Sequence, residues 1–223
     1  MRPGWAFCYQ CDQARRTVPG LVADAVAPTA YAVKGGELAR DLRLYKSDFA
    51  GAAAAGARLG RLLGSFLREH GPAVWAAAGM TAGPTAVAVV PSGQGRPGPH
   101  PLESVVAGTA RLPVICLGIR PEEAAHGRSV STDWLRVAGR ASGEDVLLID
   151  DTWVSGASAQ SAAAALKLAG ACRVAVIVIG RHVDPADPKS ADLLRAINPA
   201  RVRQVPARPA PGAASACDRR FRP

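Results

Sequence analysis

Aromatic residues make up only 5% of this 223-residue chain, and acidic residues are outnumbered, 18 Asp and Glu against 27 Lys and Arg. The resulting formal charge of +9 points to an anionic partner without saying which kind: nucleic acid, membrane surface or phosphorylated small molecule. Nothing from Met1 to Cys11 has the basic start, apolar stretch and small-residue cleavage site of an export signal. The longest uncharged stretch, Gly71 to Gly95, contains Pro72, Pro84 and Pro91, and its apolar content is mostly Ala, which excludes a membrane-spanning helix. No repeat recurs at a period of about 20 to 50 residues. Five cysteines, an odd number at scattered spacing, do not form a disulfide framework and fit a reduced, cytoplasmic protein. Disulfides are not needed for stability either, because a chain this long buries roughly 70% of its unfolded surface on folding.

What is present is a globular composition, 48% hydrophobic and 20% charged, punctuated by 23 Gly and 18 Pro. The first thirty residues read as irregular. Glu37–Leu44 and Ala50–Glu69 read as helices, the second with an apolar stripe of Leu59, Leu62, Leu63, Phe66 and Leu67, ended by Gly71-Pro72. Short β-branched runs follow at Ala86–Val90, Leu112–Leu117, Val146–Ile149 and Val174–Ile179, separated by helical stretches such as Ala159–Leu168. A helix over Ala191–Ala196 and a strand over Val202–Val205 are expected last. Continuous apolar runs of this length suit strands buried on both faces, so the expected fold is α/β, one domain with a central, mostly parallel sheet flanked by helices. The boundaries expected are an N-terminal hood and Cys segment over 1–80, a core over 81–206 and a basic, Pro-rich tail over 207–223. Residues 201–223 hold six Arg and one Asp, so more than half of the excess charge lies at this end.

The segment richest in chemistry is Val146-Leu-Leu-Ile-Asp150-Asp151-Thr152-Trp153-Val154-Ser155-Gly156-Ala157-Ser158. A buried strand ends in two carboxylates, and a small, hydroxyl-bearing turn leads into a helix. Ligands of open α/β sheets bind at the carboxyl ends of strands. Hydroxyls of Thr152, Ser155 and Ser158, with backbone N–H groups at a helix N-terminus, suit a phosphate dianion. Adjacent carboxylates would repel that phosphate unless they accepted hydrogen bonds from something else, and the 2- and 3-hydroxyls of a ribose meet that need. The residues therefore read as a ribose 5-phosphate site; the plainer alternative is a buried strand followed by Asp caps and an ordinary helix start.

This segment resembles the phosphoribosyl-pyrophosphate (PRPP) signature of type I phosphoribosyltransferases: apolar strand, paired acids, three variable residues, then Ser-Gly-x-Ser. The resemblance implies that Asp150 and Asp151 act on the ribose hydroxyls, with Thr152, Val154, Ser155, Gly156, Ala157 and Ser158 around ribose and 5-phosphate. Some members carry a carboxylate where Val154 stands, so one acid/base candidate is missing. The loop after an earlier strand, Pro91-Ser92-Gly93-Gln94-Gly95-Arg96-Pro97-Gly98, holds a literal Gly-x-Gly-x-x-Gly. A dinucleotide site needs a helix to open there, which Pro97, Pro99 and Pro101 oppose. The resemblance instead assigns Ser92, Gly93 and Arg96 to pyrophosphate. It likewise implies a closing loop between Gly118 and Trp134, with Arg120, His126 and Arg128 approaching the leaving group; a solvated surface loop is the alternative for both.

The implied activity is transfer of ribose 5-phosphate from PRPP to a nucleobase or amine, releasing pyrophosphate with Mg²⁺ as cofactor. The acceptor is not spelled out, and homo-oligomerisation is left open. Within the superfamily, Cys8-x-x-Cys11, Tyr31-Ala-Val-Lys-Gly-Gly36 and Leu42-Arg-Leu-Tyr45-Lys46 are similar to the ComF-like branch, whose members begin with a cysteine-rich zinc module. No second Cys-x-x-Cys follows here, and tetrahedral Zn²⁺ needs four ligands. Cys217 is a candidate third ligand beside Cys8 and Cys11, with a His or Asp completing the set. Two other functions stand beside the enzyme: a non-catalytic PRPP-binding regulator, and a ComF-like protein linked to DNA uptake through Arg219, Arg220 and Arg222.

Overall fold

The computed structural model describes residues 9–92, 100–120, 129–187 and 190. The elements run α1 (Tyr9–Thr17), β1 (Ala25–Val33), α2 (Glu37–Leu44), α3 (Ala52–Ala78), β2 (Ala86–Val89), α4 (Pro101–Ala107), β3 (Val114–Ile119), β4 (Leu135–Ala138), β5 (Asp145–Trp153), α5 (Ala157–Leu168) and β6 (Arg173–Val183). One six-stranded sheet has the order β1-β6-β5-β2-β3-β4. Every pairing is parallel except the antiparallel one between β3 and β4. This is the α/β, mostly parallel architecture expected from the alternation of apolar runs and helical stretches.

Period-two alternation divides the strands between two cores. Leu147, Ile149, Ala175, Ile177 and Ile179 face the side covered by α2, α3 and α4, with Leu42, Leu59, Leu63 and Leu102 packed against them. Val146, Leu148, Val174, Val176 and Val178 face the other side, against Ala159, Ala162, Ala163 and Leu166 of α5. Both faces are therefore dry, which is why β5 and β6 read as unbroken apolar runs. Alanine dominates α5 because nine of its twelve residues are buried between the sheet and its surroundings. Adjacent strands β2 and β5 send their helices, α4 and α5, to opposite faces of the sheet. That divergence opens a crevice at their carboxyl ends, the switch point where ligands of such sheets bind.

Several elements differ from the sequence expectation. Residues 9–33 are not irregular as expected, since they hold α1 and β1. Pro28 is accommodated in β1 because, among the described residues, that strand pairs only with β6 and forms the sheet edge, where a missing N–H is tolerated. The first eighty residues thus supply a strand to the central sheet and, through α3, much of one core. α3 does not stop at Gly71-Pro72 but continues to Ala78. A proline inside a helix costs about 3 kcal/mol, and here burial of Val74 and Ala78 beyond it offsets the loss. Gly71 lies under the Trp75 side chain, where an added Cβ would come 3.2 Å from the ring. The true stop is Gly79, left-handed at φ 77°, where the N–H of Met80 reaches the Trp75 carbonyl at 2.9 Å.

α4 and β4 were not foreseen. The prolines that argue against a helix within the Gly-rich loop permit one immediately after it, because Pro101 opens α4, where its missing N–H is harmless. β4 returns along β3 as an antiparallel strand directly after the stretch expected as a closing loop, of which only Gly118 and Ile119 lie in β3. Both Asp150 and Asp151 lie inside β5, which extends to Trp153. The helix and strand expected over 191–205 and the basic tail lie outside the described residues. Among the described residues no helix is long and apolar enough to cross a membrane.

α2 approaches β6 closely enough that a Cβ at Gly180 would collide with Leu42 and come 3.0 Å from the Ala32 Cβ. Gly180→Ala is expected to destabilise the chain by about 1–3 kcal/mol through overpacking. Urea unfolding measures this, and an unchanged midpoint would show that α2 does not rest on β6 as described.

Candidate functional site

The alternation that sorts the apolar residues of β5 also sorts its two carboxylates. Asp151 follows Leu147 and Ile149 toward α2, whereas Asp150 follows Val146 and Leu148 toward α5. Both are buried, at 8% and 6% exposure for Asp150 and Asp151. Buried carboxylates require partners. The backbone N–H of Asp151 donates to Asp150 Oδ1 at 2.8 Å. Asp151 Oδ2 accepts from the Tyr45 hydroxyl and forms an ion pair with Lys46 Nζ. Burial chiefly, and the Asp151 charge next, push the Asp150 carboxyl up to about 7, while the Asp151 N–H, Lys46 and the Thr152 N–H act in the opposite direction.

Beyond β5 the chain turns through Val154 and Ser155 and enters α5 at Gly156, the N-cap, in the left-handed region at φ 81°. The Trp153 ring occupies the space that a Cβ at Gly156 would need. Glycine is therefore demanded twice, by backbone conformation and by the ring. Ser155 Oγ accepts from the Ala157 N–H at 3.3 Å, shaping the turn. Beyond Ala157, the N-terminus of α5 is favourable to an anion through the helix dipole.

A cleft of about 580 Å³ gathers these parts. Asp150, Asp151, Thr152, Val154 and Ser158 line it from the β5–α5 turn, and Ser92 from the end of β2. Lys46 and Arg43 border it from the α2 side, with His100 before α4 and His182 on β6. The arrangement offers acceptors for neighbouring hydroxyls beside hydroxyl, amide and cationic donors for an anion. A larger groove between α3 and α4, about 1360 Å³, is bordered by Tyr45 but lined by neither carboxylate.

The structure thus brings Asp150, Asp151, Thr152, Val154, Ser158 and Ser92 to one place, with Ser155, Gly156 and Ala157 forming the turn beneath. Arg120 is not among the cleft residues: it follows β3, its backbone N–H bonded to Trp134 and its Nε to the Leu135 carbonyl at 3.4 Å. The physical reason is β4, which holds the start of the expected loop at the far edge of the sheet. Gly93, Arg96, His126, Arg128, Cys8 and Cys217 lie outside the described residues. Cys11 sits on α1, and among the described residues no three His, Cys, Asp or Glu side chains group to hold a metal. Sequence reasoning quoted Tyr45 and Lys46 without giving them a role and did not single out Arg43, His100 or His182. The Tyr45–Asp151 bond spans 106 residues, and no local pattern announces such a contact.

No family model matches the chain, and no curated protein does. Among solved structures it is similar to the phosphoribosylpyrophosphate synthetase of Mycobacterium smegmatis, with 24% identity, 59% of this chain and 36% of that one covered, and a TM-score of 0.35. The chain thus spans about a third of that protein's length. The orotate phosphoribosyltransferase of Mycobacterium tuberculosis H37Rv, in complex with PRPP, aligns at 18% identity over 70% of this chain and 81% of its own, with a TM-score of 0.37. A phosphoribosyltransferase from Corynebacterium diphtheriae aligns at 20% identity over 84% and 88%, with a TM-score of 0.38. Similarities of this size assign no family to the chain.

Two outcomes are expected from the site's geometry. Gly156→Ala should lose about 1–3 kcal/mol of stability through strain and overpacking, and phosphate should then protect the chain less against thermal unfolding; full retention of both would contradict the turn described. Because folding raises the Asp150 pKa from 3.8 to about 7, its contribution to stability is greatest below 3.8 and is lost as pH rises through 7. Asp150→Asn should therefore flatten the fall in unfolding free energy across that window, read from denaturation at a series of pH values.

Proposed function

We propose that this chain binds PRPP in the cleft at the carboxyl ends of β2 and β5 and transfers its ribose 5-phosphate to a nucleobase or amine. The observation that carries this reading is the placement of two buried carboxylates directly before a glycine-capped, hydroxyl-bearing helix start. A 5-phosphate on the Thr152–Ser158 turn leaves the ribose hydroxyls beside Asp150 and Asp151. Ser92 then stands on the side where pyrophosphate would leave, with Gly93 and Arg96 proposed from the motif alone. Arg120, His126 and Arg128 are proposed for the leaving group only through the resemblance, and the position of Arg120 gives it no support.

In the reaction the C1–oxygen bond to pyrophosphate breaks and a bond from C1 to the acceptor nitrogen forms, the acceptor's proton leaving to solvent. Positive charge grows on the ribose ring as the first bond lengthens. The two carboxylates orient the hydroxyls and stabilise that charge, and the enclosed cleft strengthens both effects. Mg²⁺, a hard cation, suits a ligand rich in phosphate oxygens, and it would neutralise the leaving group there. Structural Zn²⁺ on Cys8, Cys11 and Cys217 is a separate proposal that stands on the resemblance to the ComF-like branch alone.

Val154 favours a second reading, a PRPP-binding regulator without turnover: it is 63% exposed in the cleft and offers no acid/base group. The two are separated by calorimetry with Mg²⁺ and PRPP followed by pyrophosphate release against a panel of nucleobases and amines. Asp150→Asn and Asp151→Asn should each weaken PRPP about tenfold or more, the worth of a hydrogen bond to a charged group. Binding unchanged in both variants would sink the site assignment. Binding without release for any acceptor selects the regulator.

A further inference from the structure

Both carboxylates are engaged within the protein, Asp150 also through the Thr152 N–H. Asp150 Oδ1 accepts from the Asp151 N–H, and Asp151 Oδ2 takes both the Tyr45 hydroxyl and the Lys46 ammonium. The second pair of contacts comes from outside the β5–α5 segment, from the end of α2. Tyr45 is 5% exposed, so its hydroxyl must find a partner inside the protein. Lys46 keeps 31% of its side chain accessible and lines the cleft itself. Its ammonium also lies 5.6 Å from the centre of the Tyr45 ring, so the two side chains support each other over the carboxylate.

We propose that Tyr45 and Lys46 are positioning residues that fix Asp151 through Oδ2, so that Asp150 and Asp151 each present one oxygen to one of two neighbouring ligand hydroxyls. This rests on the phosphoribosyl reading of the cleft and adds a source of sugar specificity. A ligand with both hydroxyls satisfies both oxygens. A 2-deoxy sugar leaves one buried carboxylate oxygen unpaired, and sites built for a hydroxyl reject its absence strongly. Freed from Tyr45 and Lys46, Asp151 could turn, and either of its oxygens could serve the remaining hydroxyl. Affinity and discrimination would then fall together.

Lys46 has a second effect. It supplies a cation beside the buried pair, with Arg43 of α2, His100 before α4 and His182 of β6 as the other cationic or titratable groups lining the cleft. Its charge favours ionisation of Asp150, against burial and the charge of Asp151. Without it the pair carries a less compensated charge, and Asp150 holds its proton to higher pH.

The experiment uses the full chain and compares wild type, Tyr45→Phe, Lys46→Met and Lys46→Arg. Calorimetry measures Mg²⁺–PRPP, ribose 5-phosphate, 2-deoxyribose 5-phosphate and inorganic phosphate at a series of pH values on either side of the Asp150 pKa of about 7. In wild type, ribose 5-phosphate should bind more tightly than its 2-deoxy analogue. In Tyr45→Phe and Lys46→Met that preference should drop about tenfold, PRPP should weaken about tenfold or more, and inorganic phosphate should bind as before. The pH midpoint for PRPP should rise in Lys46→Met, and Lys46→Arg should restore it. Wild-type binding of PRPP with unchanged preference and midpoint in both Tyr45→Phe and Lys46→Met overturns the positioning role and leaves the phosphoribosyl reading intact. Failure of the wild type to bind PRPP overturns that reading and this inference with it, while equal loss for inorganic phosphate would mean that the variants damage the fold rather than the sugar contact.

Discussion

Two consecutive carboxylates at the buried end of β5 are the constraint on which the rest of the structure turns. In a strand, neighbours point to opposite faces, so burying both means burying one charge in each layer of the molecule. The α2 side meets this with Tyr45 and Lys46 on Asp151. Among the described residues the α5 side has no cation of equal directness, and Asp150 has backbone N–H groups and a pKa near neutrality. An arrangement this costly to fold has no packing rationale, since apolar residues of similar size would serve a structural strand better. Its rationale lies in what the exposed ends of the two carboxylates face, which is the cleft.

The same constraint explains why α2 lies where it does. Gly180 leaves no side chain between β6 and Leu42, letting the helix sit directly on the sheet. Arg58 of α3 grips Asp41 of α2 through two hydrogen bonds, 2.6 and 2.8 Å, and holds the Asp41 carboxyl below its ordinary range. That pair is exposed and contributes little by itself. Together with Leu42 in the core, it fixes the end of α2 from which Tyr45 and Lys46 extend. Position of α2 and charge compensation at the site are thus one structural problem with one solution.

What was legible in the sequence follows from the range of the interactions. The stretch from Val146 to Ser158 encodes strand, acids, turn and helix start within thirteen consecutive residues, and each of these is decided by near neighbours. Gly156 could be read as a turn glycine, though not that the Trp153 ring fills the space beside it. Pro72 misled because its local cost is offset by burial of Val74 and Ala78, which only the folded core reveals. β1 was hidden by Pro28, and only its place at the sheet edge makes that proline harmless. β4 has four residues with a single buried side chain, Leu135, too little for a periodicity to register. Tyr45 and Lys46 were visible as letters and silent as chemistry, because their meaning depends on a residue 106 and 105 positions away.

The charge of the chain also changes meaning once the cleft is considered. A net +9 suggests attraction to a polyanion, and six Arg against one Asp in residues 201–223 account for much of it. The cleft itself is mixed, with Arg43 and Lys46 set against Asp150 and Asp151, and His100 and His182 nearby. A bare polyanion gains from the cations and loses against the carboxylates, at separations where a low dielectric magnifies both effects. A neutral sugar satisfies the carboxylates and leaves the α5 N-terminus and the cations without use. A ligand that combines a phosphate with adjacent hydroxyls engages both sets at once. The order of groups along the chain, acids first and anion-binding turn second, then dictates which end of that ligand lies where. Electrostatics and connectivity of the cleft therefore support the sugar phosphate proposed as its ligand.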